Sequence, residues 1–433
     1  MAALMAASLV AAACGDDEPE TVAAAPVETD APAATDPPAA TDAPAATDAS
    51  AAPDQMAAPD QTAAPVEAEG PFRVLFIGPM SGPLAVIGTS EVAGLNAAID
   101  VVNASGGILG HQVELTALDD GADGTTAISL LEETMSSGTE YHLLIPGAGA
   151  YDALALAPVL ADEPLLQITF GGETPLNNPD EYPYLFIPSG GFGPQTLGVM
   201  TKIKDDGISS VAIMYGDNVP EGADFLSEAA EEVGLEVVSH VGVPAVATDA
   251  TSQLQQAMDG DPGAIAISGF SPALVPILKA RTTLGLDIPV YLDPFAGAAN
   301  LGPSTTVEDR SGVFVETFPF LAAGDPSQDD PAWQAFATGV AEYLPEPLIS
   351  LYAPLIAWDA IMMARAAAEA AGTISGEAVP KALEQIGDAA DVEGFLGGSE
   401  LYSPDDHMWR LKPSDYAWYP AGPLVGGLLV PDE

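Results

Sequence analysis

From Phe72 onward, the chain alternates short apolar runs with segments whose apolar residues recur every three or four positions. The run FRVLFIG, from Phe72 to Gly78, has the length of a buried strand. After it, Val92, Leu95 and Ile99 recur at helical spacing, and the glycines of GGILG are typical of a helix end. A strand followed by a helix in this way predicts a β–α unit.

The same alternation continues through two blocks of sequence. The first block contains the predicted strands QVELTALDD, YHLLIPG and PLLQITF and the predicted helices TTAISLLEETM and DALALAPVLADE. The second block repeats the alternation with LGVMTKIKDDG, VAIMYGD, GADFLSEAAEEVG, LEVVSHVGV, SQLQQAMDG, AIAISGF, ALVPILKARTTLG and PVYLDP. Two blocks of β–α units predict an α/β fold with two parallel, doubly wound sheets that carry helices on both faces.

Open parallel sheets bind ligands in the crevice beyond the carboxyl ends of their strands. In this chain the predicted ends are Gly78–Ser81, Gly147–Tyr151, Phe170–Thr174, Tyr215–Val219, Gly269–Ser271 and Asp293–Phe295. If the two predicted sheets face each other, these loops line one cleft. Aromatic residues at these ends, such as Tyr151, Phe170 and Phe270, then favour cleft lining over core packing.

The first 14 residues differ from this pattern. The apolar run MAALMAASLVAAA is too short to span a bilayer and has the length of a signal-peptide core, and small residues lead to Cys14, the one cysteine of the chain. The stretch resembles a bacterial lipoprotein signal, although Ala11 stands where that signal prefers Leu and a basic start is absent. The resemblance predicts that Cys14 is lipidated and becomes the mature N-terminus. An Ala-rich terminus with an incidental cysteine is the alternative.

Residues 15–70 have the composition of a tether. They contain no Lys or Arg and carry six-residue repeats such as PAATDP and APDQTA. Ala, Pro, Thr and Asp at this density cannot bury enough surface to offset chain entropy, so the segment is predicted to be disordered. No later stretch approaches about 18 continuous apolar residues, so the lipid is expected to be the only membrane anchor, on the outer face of the cell membrane.

Charge and size narrow the function further. The chain has 433 residues with 63 acids and 10 bases, and thirteen of the acids lie in the tether, which leaves 50 acids against 10 bases in the remainder. Nucleic acid binding is excluded because no basic patch is available to neutralise phosphates. The excess of negative charge is explained by solubility in a salt-containing medium outside the cell. About 360 residues exceed what one core usually supports, so two lobes are expected.

The sequence lacks the common motifs of enzyme and metal sites. The chain has no G-x-S-x-G, Walker A or H-E-x-x-H motif, and its four histidines are isolated in sequence. The stretch DDGADG at Asp119 mimics the start of a calcium loop, but Gly121 and Leu130 stand where that loop needs ligands. No metal, cofactor or catalytic residue is predicted. Carboxylate pairs of the glycosidase type stay open, because so acidic a chain contains many by chance.

Several motifs together resemble the type I periplasmic binding proteins, in particular the leucine/isoleucine/valine receptors of ABC importers. These motifs are GPMSGPLAVIG, NASGGILGHQVELTALDD, ITFGGETP, YGDNVPEGADF and LYAPLIAWDAI. The resemblance covers almost all of residues 72–433 and implies two Rossmann-like lobes joined by three hinge crossovers. It places the first lobe at about 72–189 and 318–404, and the second at about 190–317 and 405–433, with MWRLKPSDYAWY as the returning strand.

The resemblance also implies a solute site at the strand ends. The family's hydroxyl residues that hold a ligand carboxylate fall on Ala150 and Glu173, with Thr174 adjacent, and the acid that pairs with the ammonium falls beside Asp293. The family aromatic is kept as Phe270, and other family tyrosines fall on Ile87 and Val219. The predicted site is Ser81, Ala150, Tyr151, Gly171, Glu173, Thr174, Val219, Phe270 and Asp293. Because Glu173 would repel a carboxylate, a neutral amide or a cation competes with an α-amino acid as the solute.

These observations predict a monomeric, extracytoplasmic lipoprotein that captures a small solute by clamshell closure and delivers it to the permease of an ABC importer. A receptor domain that senses a solute and signals to a partner is the first alternative. A carboxylate-based hydrolase is the second. An enzyme is not expected.

Overall fold

Two β-sheets organise the part of the chain that the structure describes. The structure is a computed structural model and describes residues 70–82, 84–147, 150–170, 174–188, 191–386, 392–396, 402–409 and 411–432. For Ala150, Tyr151 and Thr174 it describes the backbone alone. Three predicted functional residues, Cys14, Gly171 and Glu173, lie outside the described residues.

The first sheet has five strands in the order β2-β1-β3-β4-β5, and every neighbouring pair is parallel. Its strands are β1 (Phe72–Gly78), β2 (Val113–Asp119), β3 (Leu143–Pro146), β4 (Leu166–Ile168) and β5 (Leu185–Phe186). The helices between these strands are α1 (Ala85–Ala104), α2 (Gly124–Ser136) and α3 (Ala150–Leu156).

The second sheet has six strands in the order β11-β10-β9-β8-β6-β7, all parallel to their neighbours except β11. Its strands are β6 (Ser210–Gly216), β7 (Glu236–Val243), β8 (Ala264–Ile267), β9 (Val290–Leu292), β10 (Val313–Thr317) and β11 (Ala417–Pro420). Its helices are α4 (Phe192–Asp205), α5 (Glu221–Val233), α6 (Thr251–Met258), α7 (Leu274–Thr283), α8 (Pro294–Gly297) and α9 (Val307–Arg310).

After β10 the chain returns to the first sheet. It forms α10 (Pro331–Tyr343), α11 (Tyr352–Ala371) and α12 (Ala378–Leu383) there, and a hairpin of β12 (Leu424–Val425) and β13 (Leu428–Leu429) follows β11. Helices α10 and α11 pack on α1, and their apolar side chains join one core with those of β1, β3 and β4. We call the first sheet with its helices the first lobe, and the second sheet with its helices the second lobe. The predicted doubly wound α/β fold is confirmed.

Helix α1 corrects one expectation from the sequence. It is long and apolar enough to cross a membrane by length and composition, with a mean hydropathy of 1.3 over its best 18-residue window. The expectation counted uninterrupted apolar residues, whereas polar and charged residues, such as Glu91, Asn96 and Asp100, interrupt the apolar residues of α1. In the fold α1 lies against α11, where Gly94 is in close contact with the backbone of Pro354. Its buried residues therefore belong to the core of the first lobe.

The order of the described strands takes the chain between the two sheets three times. The first crossing follows β5, the second follows β10 at Thr317, and the third precedes β11. The third crossing differs from the expected one, because the sequence MWRLKPSDYAWY does not form one strand. Met408 pairs in parallel with Ile187 at the edge of the first sheet, and only the residues from Ala417 onward pair with β10. The third crossing therefore lies between Trp409 and Ala417.

Candidate functional site

The structure brings three predicted site residues of the second lobe together at the ends of β6, β8 and β9. Gly269 has a φ of +83°, and a Cβ there would lie 2.9 Å from the Val219 side chain, so only glycine suits this close approach. The Asn218 side chain donates to the Phe270 carbonyl at 3.2 Å and accepts from the Ser271 hydroxyl at 2.8 Å. These bonds hold Phe270, which is half-buried, in a loop next to Val219.

Asp293 supports this loop from inside the protein. Its carboxylate is fully buried, accepts from the backbone N–H groups of Gly269 at 3.2 Å and Ala296 at 2.7 Å, and accepts from the Ser268 hydroxyl. Burial raises the pKa of Asp293 to about 6, although these hydrogen bonds oppose the rise. The sequence led us to expect a free carboxylate facing the solute, but its oxygens are occupied by the protein's own donors. Asp293 therefore positions the Phe270 loop and caps α8.

In the first lobe, Ser81 lies in a loop that Asp119 holds in place. The Asp119 carboxylate accepts from the backbone N–H groups of Met80 at 2.8 Å, Ser81 at 3.1 Å and Gly121 at 3.0 Å. A hydrogen bond from the Ser81 side chain, followed by these backbone bonds, lowers the pKa of Asp119. The carboxylate is thus used to shape the strand ends, and Ser81 itself is exposed.

The remaining predicted residues of the first lobe are described in part. The backbone of Ala150 and Tyr151 begins α3, and the backbone of Thr174 begins a short 3₁₀ turn that ends at Leu176. Gly171 and Glu173 lie outside the described residues, so the contact of these five residues with a solute stays a prediction.

Three buried acids lie beneath this edge of the first lobe. Asp120, Asp152 and Glu91 are each at most 3% exposed. Burial, followed by repulsion from Asp120, raises the pKa of Asp152 well above its usual range, and a hydrogen bond joins the two carboxyl groups. Two carboxyl groups can share a hydrogen bond only if one keeps its proton. This edge of the first lobe therefore contains several acids, and at least one of their carboxyl groups keeps its proton.

A row of aromatic rings connects the two lobes, and it was missed from the sequence. Phe225 of α5 stacks on Phe192 of α4 with ring centres 5.8 Å apart, and Phe192 contacts Phe295 of α8 at 5.1 Å. Phe295 contacts Tyr352 of α11 at 5.6 Å, edge to face. We call Phe225, Phe192, Phe295 and Tyr352 the aromatic row. Its three phenylalanines are half-buried. The position of Phe295 directly after a strand end was the one signal in the sequence.

Glu316 is the least expected residue near the aromatic row. It ends β10 with a fully buried side chain, and neither carboxyl oxygen has a hydrogen-bond partner among the described residues. A Cβ at Gly198 of α4 would lie 2.1 Å from one of these oxygens, so the glycine makes room for the carboxyl group. Burial, followed by repulsion from Asp293, raises the pKa of Glu316 well above its usual value.

Two other features bear on ligand chemistry. Among the described residues, no group of three or more His, Cys, Asp and Glu side chains is arranged to hold a metal ion. A surface pocket of about 360 Å³ lies at the opposite, amino-terminal edge of the first sheet, where His142, Leu165 and Leu166 line it. Because it lies away from the strand ends that carry the predicted site, this pocket is separate from that site.

Comparison with known proteins identifies the fold and the family. The sequence profile of the family described as Periplasmic binding protein matches residues 71–411. The Leu/Ile/Val-binding protein of Escherichia coli (strain K12) is 24% identical over 250 residues, which cover 56% of this chain and 66% of that relative. The match therefore spans slightly less than two thirds of the relative's length.

Two solved structures are similar in fold. The branched-chain amino acid transporter substrate binding protein of Streptococcus pneumoniae, in complex with isoleucine, has a TM-score of 0.63 at 18% identity and covers 80% of this chain and 98% of that one. A solute binding protein of an ABC transporter from R. palustris, in complex with 4-hydroxybenzoate, has a TM-score of 0.63 at 19% identity. The match covers 84% of this chain and 95% of that one. The two-lobed fold is thus that of the type I periplasmic binding proteins. The chain belongs to the Periplasmic binding protein family.

Proposed function

We propose that this protein is the extracytoplasmic substrate-binding component of an ABC importer. The observation that carries the proposal is the pair of doubly wound lobes, joined by three crossings, with the Ser81 loop at the strand ends of one lobe and the Phe270 loop at those of the other. Family membership supports it, since periplasmic binding proteins of ABC importers are solute carriers outside the cytoplasm.

The proposed mechanism is closure of the two lobes on a small solute. A solute that contacts the strand ends of both lobes gains its full set of contacts only when the lobes close, so binding and closure are one equilibrium. The closed form then docks on a membrane permease and releases the solute. We propose that the protein acts as a monomer in this cycle and has no enzymatic role.

Ligand-dependent thermal stabilisation tests this function. A solute at about 100 times its Kd adds about 2.7 kcal/mol to the free energy of unfolding, which should raise the melting temperature by roughly 5–10 °C. The panel contains leucine, isoleucine, valine, short amides, polyamines, aromatic amines and aromatic acids. At least one compound should stabilise the protein, and Phe270→Ala should weaken its binding at least tenfold.

Phe314→Ala is the matched control for that variant. Phe314 is half-buried like Phe270, but it lies within β10 and stacks on Tyr291, away from the strand ends. Its truncation should lower the melting temperature without changing solute affinity. If no compound in the panel stabilises the protein, or if both variants change affinity equally, the proposed solute site is wrong.

We further propose that residues 1–14 form a lipoprotein signal, that residues 15–70 tether the domain to the membrane, and that the folded domain begins near Phe72. The composition of each segment supports this division.

The lipid anchor is tested by metabolic labelling. When the full chain is expressed in a bacterium supplied with a clickable fatty acid, the wild-type protein should carry the label in the membrane fraction. Cys14→Ser should lose the label and leave that fraction, whereas Ser8→Ala should behave as the wild type. Label that persists on Cys14→Ser would exclude this anchor.

A further inference from the structure

The geometry points to an organic cation with an apolar, ring-sized body as the solute, packed against the aromatic row. This inference rests on the proposed function, because it concerns the solute of the same cleft. It goes beyond that function by assigning the charge and the shape of the solute.

The aromatic row supplies a surface for both parts of such a molecule. Its three phenylalanines lie at the carboxyl-end edge of the second lobe, and each is only half-buried. Phe192 and Phe295 are in contact, and Phe295 also packs on the buried Tyr352 of the first lobe, so a solute on the row would lie where the two lobes meet. The face of an aromatic ring attracts a cation within about 6 Å, and its flat apolar area suits another ring.

The charges around the row disfavour an anion. The described loops that follow β1 to β4 and β6 to β10 contain no Lys or Arg. Lys202, Lys204 and Arg281 lie in the last turns of their helices, which in a β–α unit is the opposite edge of the sheet. On the third crossing, Lys412 is exposed, and Arg410 lies outside the described residues. A solute carboxylate would therefore meet no basic side chain in the described strand-end loops.

One buried acid, Glu316, favours a cation further. Asp293 lies two residues before Phe295, and it is close enough to Glu316 to affect its ionisation. The carboxyl group of Glu316 is fully buried and has no hydrogen-bond partner among the described residues. A carboxyl group without a partner is costly to bury in its charged form, and a positive charge held nearby reduces that cost. Among the described residues no basic group contacts Glu316, so its carboxyl group keeps its proton in the folded protein, and a positive charge on a solute in the aromatic row would favour its ionised form.

The inference is tested with three probes that share one ring and differ in charge. Benzylamine, benzamide and sodium benzoate carry +1, 0 and −1 at pH 7, and their affinities for the full-length protein are measured by isothermal titration calorimetry. Benzylamine is expected to bind at least tenfold more tightly than benzamide, and benzoate should not bind. Methylamine, which has the charge without the ring, should bind at least tenfold more weakly than benzylamine. This control shows whether the overall negative charge of the protein is enough to bind a small cation that has no ring.

Leucine substitutions in the aromatic row test whether benzylamine binding depends on the ring faces or on apolar area alone. Phe192→Leu and Phe295→Leu keep apolar side chains and should each weaken benzylamine binding at least fivefold, while Phe314→Leu, away from the row, should leave it unchanged. If leucine or benzoate binds more tightly than benzylamine, the inference is overturned and the proposed function stands. If no compound in either panel binds, both are overturned. Methylamine affinity equal to that of benzylamine also overturns the inference.

Discussion

The melting temperature of the protein is expected to fall by roughly 10 °C as the pH rises from 5 to 8. The cause is a set of buried carboxyl groups that keep their protons in the folded state. Burial raises the pKa of Asp293 to about 6 and that of Asp359 to about 7, and the pKa values of Asp152 and Glu316 are raised as well.

The sign follows from proton linkage. An unfolded Asp releases its proton near pH 4, whereas each of these groups keeps it in the folded state up to its raised pKa. Between these two values the folded state binds one more proton, so the free energy of unfolding falls by about 1.4 kcal/mol per pH unit for each group. For Asp293 this window is about pH 4 to 6, and for Asp359 about pH 4 to 7.

A neutral substitution tests whether a buried carboxyl group causes this fall in stability with rising pH. The Asp359 carboxyl group is fully buried and accepts from the backbone N–H groups of Phe395 at 2.9 Å and Leu396 at 2.7 Å. Asp359→Asn keeps an oxygen acceptor and removes the titration, so the variant should lose less stability between pH 5 and 7 than the wild type. Asp249→Asn is the control, because hydrogen bonds from Thr251 lower the pKa of this exposed residue and it titrates below that range. A melting temperature that rises with pH, or a wild-type slope in Asp359→Asn, would contradict the account.

Gly94→Ala should destabilise the protein by about 3 kcal/mol, because one methyl group would force α1 and α11 apart. A Cβ at Gly94 would lie 2.0 Å from the carbonyl oxygen of Pro354 and 2.7 Å from its carbonyl carbon. Both are backbone atoms within α11, so no side-chain rotation can relieve the overlap. The two helices join the first-lobe core, and their separation would loosen much of it.

Urea unfolding at one pH measures this effect. Gly193→Ala is the matched control, since it adds the same methyl group to the first turn of α4, where nothing lies within 4 Å of the new atom. The control should unfold at the wild-type urea concentration or slightly above it, because alanine favours the helix. Equal midpoints for the two variants would mean that α1 and α11 do not pack as closely as the structure has them.

The sequence predicted the elements whose pattern is long and regular. The strand from Phe72 to Gly78 was predicted to the residue, and its burial on both faces explains the continuous apolar run. The helix expected over residues 152–163 instead ends at Leu156, because Pro158 cannot donate a hydrogen bond and the chain turns into a 3₁₀ segment. Strand β5 has only two residues, Leu185 and Phe186, too few for any periodic signal.

The sequence predicted only those features of the candidate site that follow from the positions of the strand ends. Val219, Phe270 and Asp293 come together because their strands are neighbours in one parallel sheet, and that much follows from the order of elements. The inward direction of the Asp293 carboxylate depends on how the loop after β8 folds back on the end of β9, which a single sequence does not reveal. The aromatic row joins residues from α4, α5, α8 and α11, and no local pattern marks such distant partners.

The crossings also determine which movements the two lobes can make. Thr317, where β10 ends, pairs directly with Ala417, where β11 begins, and the rings of Phe318 and Tyr416 next to them are 4.6 Å apart. Phe318 is already part of the first-lobe core, so the second crossing has no spare length. The third crossing is equally short at this point, because Tyr416, directly before Ala417, also belongs to the first-lobe core. Because Thr317 and Ala417 are paired where both crossings leave the second sheet, we expect closure to be a rotation of one lobe about the line through these two residues rather than a sliding of one lobe past the other.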